Sequence, residues 1–302
     1  MSVRNSNVEF WRCFCMFFIV FGHVIINNHL IQTNGVLWHI PGFLFITGYF
    51  GVRFRFVKLL RLIGIAYACY LITLPLHWQD CTVAKLVLPH GGWFLPFYCI
   101  LMLLAPLLNA AIDGLKDSKI VLYALLTCVF LGWLPQLFNN PHLNMIVVPG
   151  MQGHGLLLVI VTYVFGRIAA EKNIASRLSF GSWVGLFVIG CGVSILAARY
   201  MPKMSCTYGS PIFLATAFAG FNAALRAPTP PLIVSRTVNF VSRSMFSVYL
   251  VHECCVRDLQ IIGAGSGWGE ALLRSVELFA LGIAVDVIRQ AIVRLCVPLK
   301  WR

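Results

Sequence analysis

Apolar and polar positions alternate along this chain in long blocks. Runs of about twenty mostly apolar residues recur from end to end, and the charged residues gather in the short gaps between them. A run of that length is what an α-helix needs to cross the hydrocarbon core of a bilayer. The pattern predicts ten spans, at 8–28, 36–52, 59–77, 92–112, 119–138, 152–170, 179–199, 207–226, 240–260 and 271–296. The second is short and contains Pro41, and the ninth ends in polar residues. The expected fold is therefore all-α: a polytopic integral membrane protein, one transmembrane domain over 1–302. No appended soluble domain is expected.

Composition agrees. Of 302 residues, 59% are hydrophobic and only 11% are charged, against about 25% charged in a soluble domain. Mean hydropathy is +0.84. So few charges cannot cover a water-facing surface, which argues against a soluble enzyme, a disordered chain or a nucleic-acid-binding domain. The formal charge of +13 would otherwise suggest nucleic acid, but its placement is better explained by topology. An even number of spans puts both termini on one side. Eighteen of the 23 Lys and Arg residues fall on that side, and the outer loops at 29–35 and 139–151 have none. The excess of positive charge predicts cytoplasmic termini. The first apolar run ends in His23 and Asn27-Asn28 with no small-residue cleavage site, so no removable signal peptide is expected.

The eleven cysteines form no disulfide framework. Cys69, Cys99, Cys128, Cys191 and Cys296 lie inside apolar runs, where cysteine acts as a small buried hydrophobe. A disulfide through Cys81, Cys206 or Cys254 is left open. The eight histidines are scattered and none makes a His-x3-His pair, so no metal site is expected.

Ionisable residues inside a span are costly, which makes each a functional candidate. The first span has Glu9, Arg12 and His23. Arg12 and His23 are eleven residues apart, about three turns, so they share a helix face with roughly 16 Å of rise between them. Glu9 is three residues before Arg12, within reach to orient it. Taken singly, Arg12 could be a side chain snorkelling to the interface and His23 an interhelical hydrogen-bond partner. Their pairing on one face favours function.

A second candidate region follows the second span. Arg53, Arg55, Lys58 and Arg61 put four cations within nine residues at the expected cytoplasmic face. Positive-inside topology and attraction to anionic lipid explain such a cluster, and so does a phosphate clamp. The third region is Tyr249-Leu250-Val251-His252-Glu253, followed by Arg257. In the last span Asp286 and Arg289, three apart, are expected to pair.

Taken together these residues resemble the membrane-bound acyltransferase-3 family, O-acyltransferases of cell-surface glycans. Glu9, Arg12 and His23 are similar to its acidic-x-x-Arg-x10-His signature. Thr47-Gly48-Tyr49-Phe50 resembles its Ser/Thr-Gly-Tyr segment. Lys58-Leu59-Leu60-Arg61 resembles its Arg-x-x-Arg, with Lys in the first place, where a point charge replaces a bidentate fork. Gly92-Trp93-Phe94-Leu95, Ser210-Pro211 and Tyr249–Glu253 with Arg257 follow in family order. The resemblance implies a multi-pass protein of the bacterial cytoplasmic membrane, with acyl-CoA, expected to be acetyl-CoA, as donor substrate. The acceptor it implies is a glycan or lipid-linked sugar hydroxyl. It further implies His23 as general base, with Glu9 and Arg12 supporting it, and Arg12, Arg53, Lys58 and Arg61 as binders of the donor. Tyr49, Trp93, His252 and Glu253 are then candidates for the acceptor side. Two other classes remain beside it: a transporter or flippase for a glycan or lipid-linked substrate, and a non-catalytic membrane scaffold.

Overall fold

A computed structural model describes residues 5–27, 38–76, 94–114, 156–200, 209–258 and 267–296, with positions 119, 123 and 126. The described residues are mostly helical. In chain order they form α1 (Ser6–Asn27), α2 (His39–Phe50), α3 (Phe56–Thr73), α4 (Phe94–Gly114), α5 (Leu156–Glu171), α6 (Phe180–Tyr200), α7 (Pro211–Arg226), α8 (Leu232–Val241), α9 (Met245–Asp258) and α10 (Trp268–Cys296), with short 3₁₀ turns after α3, α5 and α8.

Among the described residues, four stretches, Ser6–Ile25, Phe56–Leu76, Phe94–Gly114 and Phe180–Tyr200, are long and apolar enough to cross a membrane by themselves. Large apolar side chains are exposed along several of them, such as Val57 and Leu71 on α3, Leu103 and Leu107 on α4, and Val188 and Ile189 on α6. In water such faces would be an aggregation hazard, whereas against lipid tails they cost nothing.

The second apolar run yields a helix of only 12 residues, a rise of about 18 Å against a hydrocarbon core of about 30 Å. Pro41 is compatible with it because it falls in the first turn, where an amide hydrogen is not needed. The run at 240–260 also differs from expectation. Its helix starts at Met245, and a separate helix, α8, precedes it. Polar Ser235, Arg236, Thr237 and Asn239 break the apolar pattern of α8, so hydropathy alone passes over it. The expected span at 119–138 lies outside the described residues apart from the single positions named.

The chain divides into two compact units. Unit 1 comprises Met1–Cys15, Thr33–Phe54 and Leu95–Pro231; unit 2 comprises Met16–Gln32, Arg55–Phe94 and Leu232–Arg302. In unit 1, α2 packs on α5 and α7, and α7 on α6. Gly48 and Gly166 make the α2–α5 approach. A Cβ on Gly48 would lie 2.3 Å from the Tyr163 carbonyl oxygen, and one on Gly166 would lie 2.5 Å from that of Phe45. Only glycine permits backbones to come so close. Tyr163, fully buried, donates its hydroxyl to Asn109 and accepts the Val52 amide. Trp11 anchors the start of α1, donating Nε1–H to the Gly42 carbonyl at 3.0 Å and stacking on Trp38.

In unit 2, α9 packs on α10 and both pack on α3. Gly282 admits α9: a Cβ there would stand 2.6 Å from Val248 Cα. The later part of α1 joins the same unit through Phe17 against Phe279 and Phe21 near Trp268. Asp286 on α10, 1% exposed, accepts hydrogen bonds from Ser244, Ser247, Arg289 and Gln290. The expected Asp286–Arg289 pair is present at 2.7 Å, and the two serines pin the start of α9 to α10. Cys254, left open for a disulfide, is buried on α9.

Candidate active site

The first functional element is local to α1. Arg12 Nη1 donates to Glu9 Oε2 at 2.6 Å, with Glu9 buried and Arg12 partly exposed. The three-residue spacing puts both on one helix face, and the carboxylate holds the guanidinium in one orientation while leaving donors for an anion. This is the pairing the sequence spacing implies. Arg53 belongs to unit 1, in the segment between α2 and α3. Lys58 and Arg61 lie in the first two turns of α3, in unit 2, three apart on one face and exposed. Tyr49 belongs to unit 1, its ring 5.3 Å from Phe221 and set edge-on to it. Trp93 lies outside the described residues.

The second element is assembled in unit 2. On α9, Tyr249, His252 and Glu253 stand at i, i+3 and i+4, so they form a single face. His23 of α1 meets that face. Its Nε2 is 3.9 Å from Glu253 Oε1, and its ring centroid is 5.0 Å from that of His252, nearly perpendicular. His252 and Glu253 are buried, and the His23 side chain is 24% exposed.

The cluster is held from behind. His252 Nδ1 is 3.2 Å from the Val248 carbonyl oxygen. A carbonyl can only accept, so Nδ1 carries the proton and Nε2 keeps its lone pair. Tyr249 flanks the His252 ring at 5.6 Å, and its hydroxyl accepts the Phe94 amide at 3.2 Å. That bond ties the first residue of α4 to the α9 face.

The structure thus brings His23 together with His252 and Glu253, residues that the sequence places in separate motifs. The i, i+3, i+4 spacing of Tyr249, His252 and Glu253 was visible in the sequence; their meeting with His23 was not. Tyr249, in the same motif, contacts both the Phe94 amide and the His252 ring. Chemically, the arrangement offers a partly exposed imidazole with a buried carboxylate 3.9 Å away, groups of the kind from which a general base can be built.

A family model described as an acyltransferase domain matches residues 5–285, nearly the whole chain. No curated protein and no solved structure shows significant similarity to it.

Proposed function

The chain belongs to the acyltransferase-3 family, and from that premise we propose that it is an O-acyltransferase of the bacterial cytoplasmic membrane. It moves an acyl group, acetyl in the first instance, from cytoplasmic acyl-CoA to a hydroxyl of a cell-surface or lipid-linked glycan. Ten spans with both termini in the cytoplasm give the donor access from inside, in line with the bias of Lys and Arg.

The observation that carries the reading is His23 beside Glu253, 3.9 Å apart, on a chain whose family performs acyl transfer. The acceptor hydroxyl gives its proton to the His23 imidazole as its oxygen attacks the thioester carbonyl. Glu253 stabilises the imidazolium so formed. The tetrahedral intermediate then collapses, the carbon–sulfur bond breaks, and the departing CoA sulfur takes the proton back from His23. The products are the glycan ester and free CoA. The eleven-residue step along α1 from Arg12 to His23 gives a rise of about 16 Å, a span that suits the extended arm of CoA. Arg12, oriented by Glu9, takes the phosphate-bearing end. Arg53, Lys58 and Arg61 are candidates for the same polyanion. Tyr49, Trp93 and His252 are candidates for the acceptor side. The family match does not favour the transporter or flippase reading.

The test is direct. Purified His23→Ala loses acetyl-CoA-dependent transfer to glycan, and Arg12→Ala binds acyl-CoA more weakly. Wild-type turnover in His23→Ala would sink the base assignment, and unchanged acyl-CoA affinity in Arg12→Ala would remove Arg12 from the donor site. Mass spectrometry of surface glycans with and without the gene identifies the acceptor by an acetyl-sized difference.

A further inference from the structure

We propose that His23, His252 and Glu253 form a binding site for a divalent ion of the zinc class, and that an ion bound there blocks acyl transfer by occupying the His23 lone pair. The site stands on coordination geometry alone; only the blockade rests on the acyltransferase reading.

Two imidazoles and one carboxylate make a donor set characteristic of zinc, with a fourth position left for water or substrate. One donor atom from each of the three lies within 4.8 Å of the others. The 3.9 Å between His23 Nε2 and Glu253 Oε1 is too long for a hydrogen bond. Ligand bonds of about 2.0–2.1 Å in a tetrahedron put neighbouring donor atoms about 3.3 Å apart. The cluster therefore needs a contraction of up to about 1.5 Å, within reach of side-chain rotation.

The surroundings fit the same purpose. The Val248 carbonyl fixes the His252 tautomer with Nδ1 protonated, which leaves the lone pair of Nε2 available to an ion. Metal-bound histidines are oriented through their other ring nitrogen in this way. His252 and Glu253 are buried and His23 is part-exposed, so the ligands are shielded from bulk water while a route for the ion remains at His23. The spacing of histidines in the sequence does not announce the set, because two ligands are adjacent on α9 and the third comes from α1.

The experiment uses the full chain in detergent, purified through a tag without histidine and stripped with chelator. Calorimetric titration with Zn²⁺ and visible absorption with Co²⁺ report binding. One ion per chain is expected, with the d–d bands of a low-coordinate Co²⁺ site and no thiolate charge-transfer band from Cys254 or Cys255. His23→Gln, His252→Gln and Glu253→Gln each weaken binding at least about tenfold, since even second-layer partners of a metal site are worth 10–100-fold. Each variant is checked for monodispersity and helical content, and any one that folds suffices. Unchanged Zn²⁺ affinity in a folded variant, or a thiolate band, overturns the site. In the wild type, transfer falls along the Zn²⁺ occupancy curve and returns with chelator. Binding without inhibition overturns the blockade alone, and metal-free protein that binds Zn²⁺ yet transfers no acyl group overturns the acyltransferase reading while leaving the ion site standing.

Discussion

Glu253→Gln removes one negative charge from the cluster and keeps the side chain's size, so it probes the charge that faces His23. The proposed reaction turns His23 into an imidazolium, whose Nε2 lies 3.9 Å from Glu253 Oε1. Two unit charges at that distance, with an effective dielectric constant of about 20, attract by about 4 kcal/mol. Glu253 is buried, but the His23 side chain is 24% exposed, and solvent screening at that edge lowers the usable value to about 2–4 kcal/mol. A tenfold change in rate corresponds to about 1.36 kcal/mol. The expected fall in kcat is therefore about 30- to 1,000-fold. The KM for acyl-CoA changes little, because in this mechanism Glu253 does not touch the donor. The assay follows release of CoA thiol by the purified variant at saturating acyl-CoA and acceptor, with thermal unfolding as a control for folding. A folded Glu253→Gln enzyme with kcat within about threefold of wild type would refute the idea that this carboxylate stabilises the imidazolium.

Other perturbations probe other links. Asp286→Ala leaves Arg289, whose side chain is 15% exposed, without its carboxylate and strips Ser244 and Ser247 of their acceptor. A loss of about 3–5 kcal/mol is expected, seen as a large drop in detergent unfolding temperature. Gly48→Ala drives a Cβ to within 2.3 Å of the Tyr163 carbonyl oxygen and is expected to cost about 1–3 kcal/mol as overpacking; an unchanged unfolding temperature would contradict the close α2–α5 approach. Trp11→Phe deletes the 3.0 Å hydrogen bond to the Gly42 carbonyl and is expected to cost about 1 kcal/mol, read in the same assay. A reporter active only in the cytoplasm, fused after Arg302, should be active; activity of a periplasm-only reporter there would reverse the proposed orientation.

The sequence was most legible where one helix holds all the partners. Glu9 with Arg12, and Asp286 with Arg289, were readable from a three-residue spacing because helical rise and turn fix such neighbours whatever the rest of the chain does. The same geometry put Arg12 and His23 on one face of α1. It was less legible where polarity interrupts a helix, as at α8, or where a helix is too short for its hydropathy window, as at α2.

By itself, then, the sequence determined a helical chain suited to a bilayer, the charge bias along it, and which ionisable residues share a turn. Only tertiary packing decided that His23 stands against His252 and Glu253 and that Tyr249 is tied back to Phe94. Those meetings depend on how closely helices distant in sequence approach. That is set by side-chain volume at points such as Gly282 against Val248 and Phe17 against Phe279. Periodicity tells which face of a helix is available, but not which other helix will cover it.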